Sequence, residues 1–314
     1  MVRVLSYNIL IGGARRVEPL LNMLRAGAPD VIGLVEAIDE RVVAELAAAL
    51  GMEYRLSGRA KNRRGWQAAV LSRLPIRSTN TYITPPLIKQ PLLEVTVETP
   101  DGQLLTVFVI HITAEFSKGW RGNQQRRREV QEVLRLMEQQ RGKRHLLLGD
   151  FNTIAPRDRV RGSRFLHYML DARLYRQLLP GPTNHPANLN AVMPRGLRFL
   201  KPALQLVPQS KLLGALLDSC DWLYAPRGGI DLLTNAGYSD CFRALRPRQP
   251  GFTWPAALPA GRIDYLFASP ELVPQLEACE VLTAGADGLS GGLASDHLPV
   301  LAAFGPAPSF SNAL

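Results

Sequence analysis

Apolar and β-branched runs that each meet a carboxylate, an amide or a histidine constrain this chain more than any other feature. Residues 3–11 contain Asn8, residues 30–37 (DVIGLVEA) contain Glu36, and residues 104–113 contain His111. Residues 145–152 (HLLLGDFN) close on Asp150 and Asn152, residues 261–269 (GRIDYLFAS) contain Asp264, and a last run opens at Asp296 and His297. Short, nearly continuous apolar runs mark strands buried on both faces. A carboxylate in such a strand is costly to bury alone, and sheet-based folds place their ligands beyond strand ends. Carboxylates that converge there repel one another unless a cation lies among them. Oxygen donors from Glu, Asp and Asn suit Mg²⁺ or Mn²⁺ rather than zinc.

Helical patterns separate these strands. Leu20, Leu21 and Leu24 continue a helix whose first turn tolerates Pro19 and which Gly27 closes, and residues 40–50 form a second that stops at Gly51. Residues 67–73 and 92–98 read as strands, and a Pro100-Asp101-Gly102 turn joins the latter to 104–113 as a hairpin. Val130, Val133, Leu134 and Met137 recur at helical spacing within residues 124–140. From about residue 155 to 230 the pattern breaks into loops and short helical pieces (165–179, 211–217). Between residues 156 and 230 there are 11 Arg and Lys against 4 Asp, so most of the surplus charge of the chain lies in this basic insertion. Residues 279–286 and 297–304 return to strand patterning, and residues 306–314 read as a frayed tail. Residues 1–305 are therefore expected to form one domain carrying the insertion.

Over the whole chain, 37 Lys and Arg against 27 Asp and Glu give +10, which favours anionic partners such as nucleic acid, phosphorylated metabolites or acidic lipid headgroups. Cys220, Cys241 and Cys279 form neither a CxxC pair nor a disulfide framework and read as buried free thiols. With no signal-peptide pattern and no apolar run of membrane-spanning length, a soluble cytoplasmic protein is expected.

The segments SYNIL (6–10), GLVEA (33–37), VIHIT (109–113), GDFN (149–152), GFTWP (251–255), GRIDYLFAS (261–269) and SDHLPV (295–300) stand in an order that resembles the endonuclease/exonuclease/phosphatase, or deoxyribonuclease-like, superfamily. The resemblance implies a four-layer α/β sandwich of two mixed β-sheets flanked by helices, and a divalent-metal-dependent phosphodiester hydrolase. It implies Glu36 as principal ligand of Mg²⁺ or Mn²⁺, helped by Asn8 and Asp296. Asp150 would orient or deprotonate the attacking water, and Asn152 would hold a phosphate oxygen. Asp264 would fix the tautomer of His297, which would stabilise charge at phosphorus or move a proton. His111 matches the deoxyribonuclease and sphingomyelinase branches, where a histidine contacts phosphate; abasic-site nucleases carry tyrosine there. Its carboxylate partner in deoxyribonuclease has no counterpart near residues 66–70, so phosphate contact, shared with Lys89, is the role expected of it.

Taken singly, each residue has a plainer reading. Asn8 suits a turn, Asp150 a cap or Asx-turn, Asp264 a surface bridge to Arg262, and His297 a satisfied core histidine. The substrate stays open between three classes: nucleic acid for a nuclease, phospholipid or a small phosphoester, and a polyanion bound without catalysis. The Arg126-Arg127-Arg128 run, the 61–64 loop, Trp120 and Trp254 favour the first; the arginine run also reads as a solvated helix face, and each tryptophan reads equally as core. Phe199, Leu200, Leu204, Leu206, Leu212, Leu213, Leu216 and Leu217, mixed with basic residues, favour an anionic membrane surface, or else close a small subdomain that shapes the cleft.

Overall fold

The computed structural model describes residues 1–60, 65–84, 87–171, 173–176, 178 and 189–306. Its strands are β1 (Val2–Asn8), β2 (Val31–Val35), β3 (Glu53–Leu56), β4 (Ala68–Ser72), β5 (Ile76–Tyr82) and β6 (Leu92–Glu98), then β7 (Leu104–His111), β8 (His145–Asp150), β9 (Ser239–Asp240), β10 (Asp264–Ala268), β11 (Leu276–Val281) and β12 (Val300–Phe304). They form two six-stranded sheets, ordered β11-β12-β1-β2-β4-β3 and β5-β6-β7-β8-β10-β9. Each sheet is mixed: β1–β2 and β7–β8 are parallel, and the remaining pairings are antiparallel.

Side chains alternate across a strand, so a continuous apolar run feeds two cores at once. Val4, Val31, Val35, Leu146 and Leu148 point into the layer between the sheets. Their neighbours Leu5, Tyr7, Ile32 and Leu34 instead pack beneath the helices α1 (Val17–Gly27) and α2 (Glu40–Leu50). On the other side, Phe108, Ile110 and Leu147 meet Val130, Val133 and Met137 of α3 (Trp120–Met137). The result is the expected helix–sheet–sheet–helix sandwich. The sheets approach closely at Gly33, where a Cβ would stand 2.2 Å from Cδ1 of Leu148.

Edge strands escaped the sequence patterning. The outermost β5 (IRSTNTY) and β3 (EYRL) are polar and largely solvated, and β9 has only two residues. The insertion contains α4 (Gly162–Leu170), the helix Lys211–Ser219 and several single turns. Leu166, Tyr168, Met169, Leu189, Met193 and Val207 give it a small core of its own, with Leu204, Leu217 and Trp254 packed against it. Phe199, Leu206, Leu212 and Leu216 remain exposed, so only part of this apolar set closes the subdomain. The 61–64 loop and the 307–314 part of the tail lie outside the described residues.

The arginine run on α3 also divides. Arg126 is buried, donating to the carbonyls of Thr113 and Ala114; Arg127 pairs with Asp231 at 2.7 Å; and Arg128 is exposed. Successive helical positions point about 100° apart, so three adjacent arginines cannot share one face, and the solvated-face reading holds only for Arg128. Cys241 and Cys279 are buried free thiols, and Cys220 is a half-buried one. No helix among the described residues is long and apolar enough to cross a membrane.

Candidate active site

Strand register assembles the site at one edge of the sandwich. In the second sheet, β8 pairs with parallel β7 and antiparallel β10 so that Asp150 stands opposite both His111 and Asp264. The three side chains therefore form a row across neighbouring strands. In the first sheet, Asn8 ends β1 beside Val35, Glu36 follows immediately, and antiparallel β12 brings its preceding segment to the same edge. Parallel strands thus contribute their ends and antiparallel strands their beginnings. Ser295 Oγ locks this corner, donating to the Asn8 carbonyl at 2.7 Å and accepting from His297 N at 3.3 Å.

Asn8 joins the two sheets. Its Nδ2 donates to Glu36 Oε1 (3.3 Å) and Asp150 Oδ2 (3.1 Å). Asp150 Oδ1 accepts from Asn152 N (2.8 Å), and Asn152 Nδ2 reaches the Ile112 carbonyl (2.9 Å) and His111 Nε2 (3.0 Å). His297 Nδ1 lies 2.9 Å from Asp264 Oδ2, and its Nε2 lies 3.8 Å from Asp150 Oδ2. Glu36 and Asn152 hold left-handed backbone at φ 60° and 49°, a conformation that non-glycine residues adopt chiefly where the surroundings enforce it. Gly149 precedes Asp150 because a Cβ there would lie 1.8 Å from the Ile110 carbonyl.

Burial and charge set the proton affinities. Burial pulls the His297 imidazole down, but the carboxylates of Asp264, Asp296 and Asp150 reverse this and hold it at about 10, so it is an imidazolium at neutral pH. Burial pushes the Asp150 carboxyl up, and the His297 charge opposes that push. His111 is drawn down to about 3 by burial and by the His297 charge, and is neutral. Its Nδ1 has no hydrogen-bond partner among the described residues, and the Trp66 ring packs 5.7 Å away, where the sequence offered no acid.

Lys89 is not part of this buried cluster: its Nζ pairs with Glu115 at 2.7 Å. The surface bridge between Asp264 and Arg262 does not form. Arg262 is buried, bound by Asp158 and Asp240, and its guanidinium lies 4.4 Å from the Tyr265 ring centroid. Arg262 stands two residues before Asp264, ahead of β10, and its guanidinium is committed to Asp158 and Asp240, which leaves the Asp264 carboxylate to meet His297.

The donor set fits a divalent cation on Glu36 and Asp296. Asn8 turns its Nδ2 to Glu36 and Asp150 while its Oδ1 accepts from Leu10 N at 3.0 Å, so it would offer that oxygen only with its amide turned over. Asp296 Oδ1 is buried without a partner among the described residues, while Oδ2 accepts from Trp254 Nε1 at 3.3 Å. Burial and then repulsion from Asp296 raise the Glu36 carboxyl, a strain that a cation between them removes. Asp150, Asp264 and His297 also offer atoms within 4.8 Å of one another. There, however, Nδ1 of His297 is committed to Asp264 and the ring is charged, so this group suits proton transfer better than coordination.

Some supporting residues had no legible signal. Arg16 is buried and donates to the carbonyls of Ile9, Leu10 and Ala294, clamping the loop after β1 to the segment before β12. Thr253 Oγ1 accepts from the amides of Ile263 and Asp264 at 3.1 and 3.2 Å and fixes the start of β10. Trp254 lies within the quoted GFTWP segment, but its contact with Asp296 needed the fold.

A two-sheet sandwich whose shared edge carries this carboxylate, amide and histidine cluster defines a phosphoester hydrolase. The sequence model of the Endonuclease/Exonuclease/phosphatase family matches residues 5–297, and the chain belongs to that family. No curated protein sequence matches the chain. Among solved structures, it is similar to the 3′ phosphatase NExo from Neisseria bound to product DNA hairpin (19% identity, TM-score 0.60, 97% of this chain and 99% of that one). An AP endonuclease from Archaeoglobus fulgidus is similar at 14% identity and TM-score 0.59, over 97% of this chain and 99% of that one. D. rerio TDP2 complexed with single strand DNA product is similar at 15% identity and TM-score 0.57, with the same coverage. At these identities the structural likeness speaks for the fold.

Proposed function

We propose that the chain is a Mg²⁺- or Mn²⁺-dependent phosphodiesterase acting on nucleic acid. The observation that carries this reading is the meeting of Asp150 with Asn8 and Glu36 on one side and the His297–Asp264 pair on the other. Glu36 and Asp296, joined by Asn8 with its amide turned over, would hold the cation, which supplies charge neutralisation at the nonbridging oxygens of the phosphate.

The remaining steps belong to the side chains. In its ionised form, which the His297 charge favours against the push of burial, Asp150 accepts a hydrogen bond from the attacking water and takes its proton. His297, held as an imidazolium by Asp264, donates to the phosphoryl oxygen where negative charge grows as the water oxygen bonds to phosphorus; the ester P–O bond then breaks, and the departing oxygen takes up a proton from solvent. Asn152 Nδ2 and neutral His111 orient a second phosphate oxygen without adding charge. Nucleic acid is favoured by the net charge of +10 and by the DNA named with two of the similar structures.

A second reading, a phospholipid headgroup as substrate, draws on the exposed Leu212, Leu216, Trp222 and Leu223 of the insertion. A metal-supplemented screen separates the two, covering plasmid DNA, abasic-site DNA, RNA, sphingomyelin, inositol phosphates and bis(p-nitrophenyl) phosphate. Cation-dependent cleavage of a nucleic acid is expected. Hydrolysis of sphingomyelin alone would replace the nuclease reading, and hydrolysis of none of them would end the phosphodiesterase reading.

A further inference from the structure

Beside the catalytic edge lies a groove of about 910 Å³ lined by Lys89, Glu115, Lys118, Trp120, Arg121 and Arg128, together with Arg195 and Arg198 of the insertion. The segment after β7 leads into it from His111, with Glu115 four residues further on. Buried Arg126 fixes that segment by binding the carbonyls of Thr113 and Ala114. One wall is the face of α3 that carries Arg121, Gln124, Gln125 and Arg128, at i, i+3, i+4 and i+7 spacing. The opposite wall comes from the helical turn Arg195–Leu200, brought close where Pro194 lies 3.6 Å from the position of a Cβ on Gly119.

We propose that this groove is a track for a single strand of nucleic acid, with one base stacked on Trp120. The inference rests on the phosphodiesterase reading above and names the substrate form that the site receives. Six cations face a single carboxylate there, and that carboxylate, Glu115, is shared by Lys89 and Lys118. Arg121, Arg128 and Arg195 make no ion pair among the described residues, whereas Arg127 and Arg135 on the same helix are both paired. Three arginines without an ion pair among the described residues, gathered in a concave surface beside two lysines that share one carboxylate, call for a polyanion.

Trp120 decides the form of that polyanion. Its side chain is 70% exposed at the start of α3, although burying an indole is strongly favourable. An indole left open beside a basic groove offers a stacking platform to an unpaired base, which a duplex does not present. A membrane surface fits less well. The exposed Leu212, Leu216, Trp222 and Leu223 are absent from the groove lining, which carries Ser117, Gln124 and Gln125 instead.

The test is fluorescence anisotropy of a labelled (dT)12 strand in EDTA, so that binding is read without cleavage. Unaltered protein is compared with Trp120→Ala, with the double variant Arg121→Ala/Arg128→Ala, and with Arg141→Ala as an exposed arginine outside the groove. Trp120→Ala is expected to weaken binding by about fivefold or more. The double variant should weaken it by about tenfold and flatten the dependence of log Kd on log salt by roughly 1.4. Arg141→Ala should leave affinity unaltered. Equal losses in all three variants, no loss in any, or a blunt duplex bound as tightly as (dT)12 would overturn the proposal. So would sedimentation with phosphatidylserine vesicles that depends on these residues while strand binding does not. Turnover of bis(p-nitrophenyl) phosphate by the unaltered enzyme tests the catalytic reading separately, since strand binding in EDTA is measured whether or not that turnover occurs.

Discussion

His297 and Asp264 belong to different sheets, yet their side chains meet at 2.9 Å. Asp264 begins β10 in one sheet, and His297 precedes β12 in the other. The charged imidazole therefore exists only where the sheets are packed face to face, and catalysis is tied to the integrity of the sandwich.

Asp264→Asn keeps the shape of the pair and removes the charge that holds His297 as an imidazolium. We expect kcat on bis(p-nitrophenyl) phosphate to fall by about 10²- to 10⁴-fold, with KM little changed. Adding His297→Ala should cost little more, because groups that act as a unit are not additive. Multiplicative losses in the double variant would show that the two act independently.

Cation binding should be visible without turnover. Burial and the Asp296 charge raise the Glu36 carboxyl, so a bound divalent ion relieves a cost of the folded state. Added Mn²⁺ is expected to raise the melting temperature of the unaltered protein and to have little effect on Glu36→Gln. EDTA should abolish hydrolysis, and restoration should need at least tenfold more cation in the variant. An equal thermal response in both proteins would remove Glu36 from the ligand set.

Glu129 predicts a pH-dependent stability. Burial pushes its carboxyl up to about 7, against hydrogen bonds from Thr113 N and Gln125. An acid with a folded value above its unfolded value of about 4.3 holds its proton more tightly when folded. Its cost is therefore absent below that lower value, grows as pH rises toward 7, and is constant above, reaching roughly 4 kcal/mol. Glu129→Gln keeps an acceptor for Thr113 and carries no charge. Its melting temperature should exceed that of the unaltered protein at pH 8, with the gap narrowing at pH 5; a gap that does not change with pH would refute the assignment.

Arg262 bridges two buried carboxylates, Asp240 and Asp158, the latter also held by Arg243 at 2.8 Å. Arg262→Met leaves those charges undercompensated in the interior. Urea denaturation is expected to show a loss of about 3–5 kcal/mol. A variant as stable as the parent would mean that Arg243 and solvent compensate both carboxylates without Arg262.

Much of the architecture was legible because local chemistry dictates it. The run VIGLV needs burial on both faces, and in the structure its residues alternate between the layer shared by the sheets and the layer beneath the helices. The hairpin 92–113 and the helix 40–50 follow from turn chemistry and from the αL cap at Gly51 (φ 63°). The polar edge strands β3 and β5 were not legible, since their partners rather than their side chains make them strands. The candidate residues Asn8, Glu36, Asp150, Asn152, Asp264, Asp296 and His297 could be named from the order of their motifs.

What those residues are to each other was decided only in three dimensions. Arg262 and Asp264 are two apart in sequence and serve different ends, one a buried structural cation, the other the partner of His297. Arg126, Arg127 and Arg128 are consecutive and meet a carbonyl pair, a carboxylate and an open groove. Sequence alone determined which segments must be buried and which charges must find partners, because transfer out of water is a local cost. Tertiary structure decided which partner each charge found, because Coulomb energy and desolvation depend on distances between residues as far apart as Asn8 and His297.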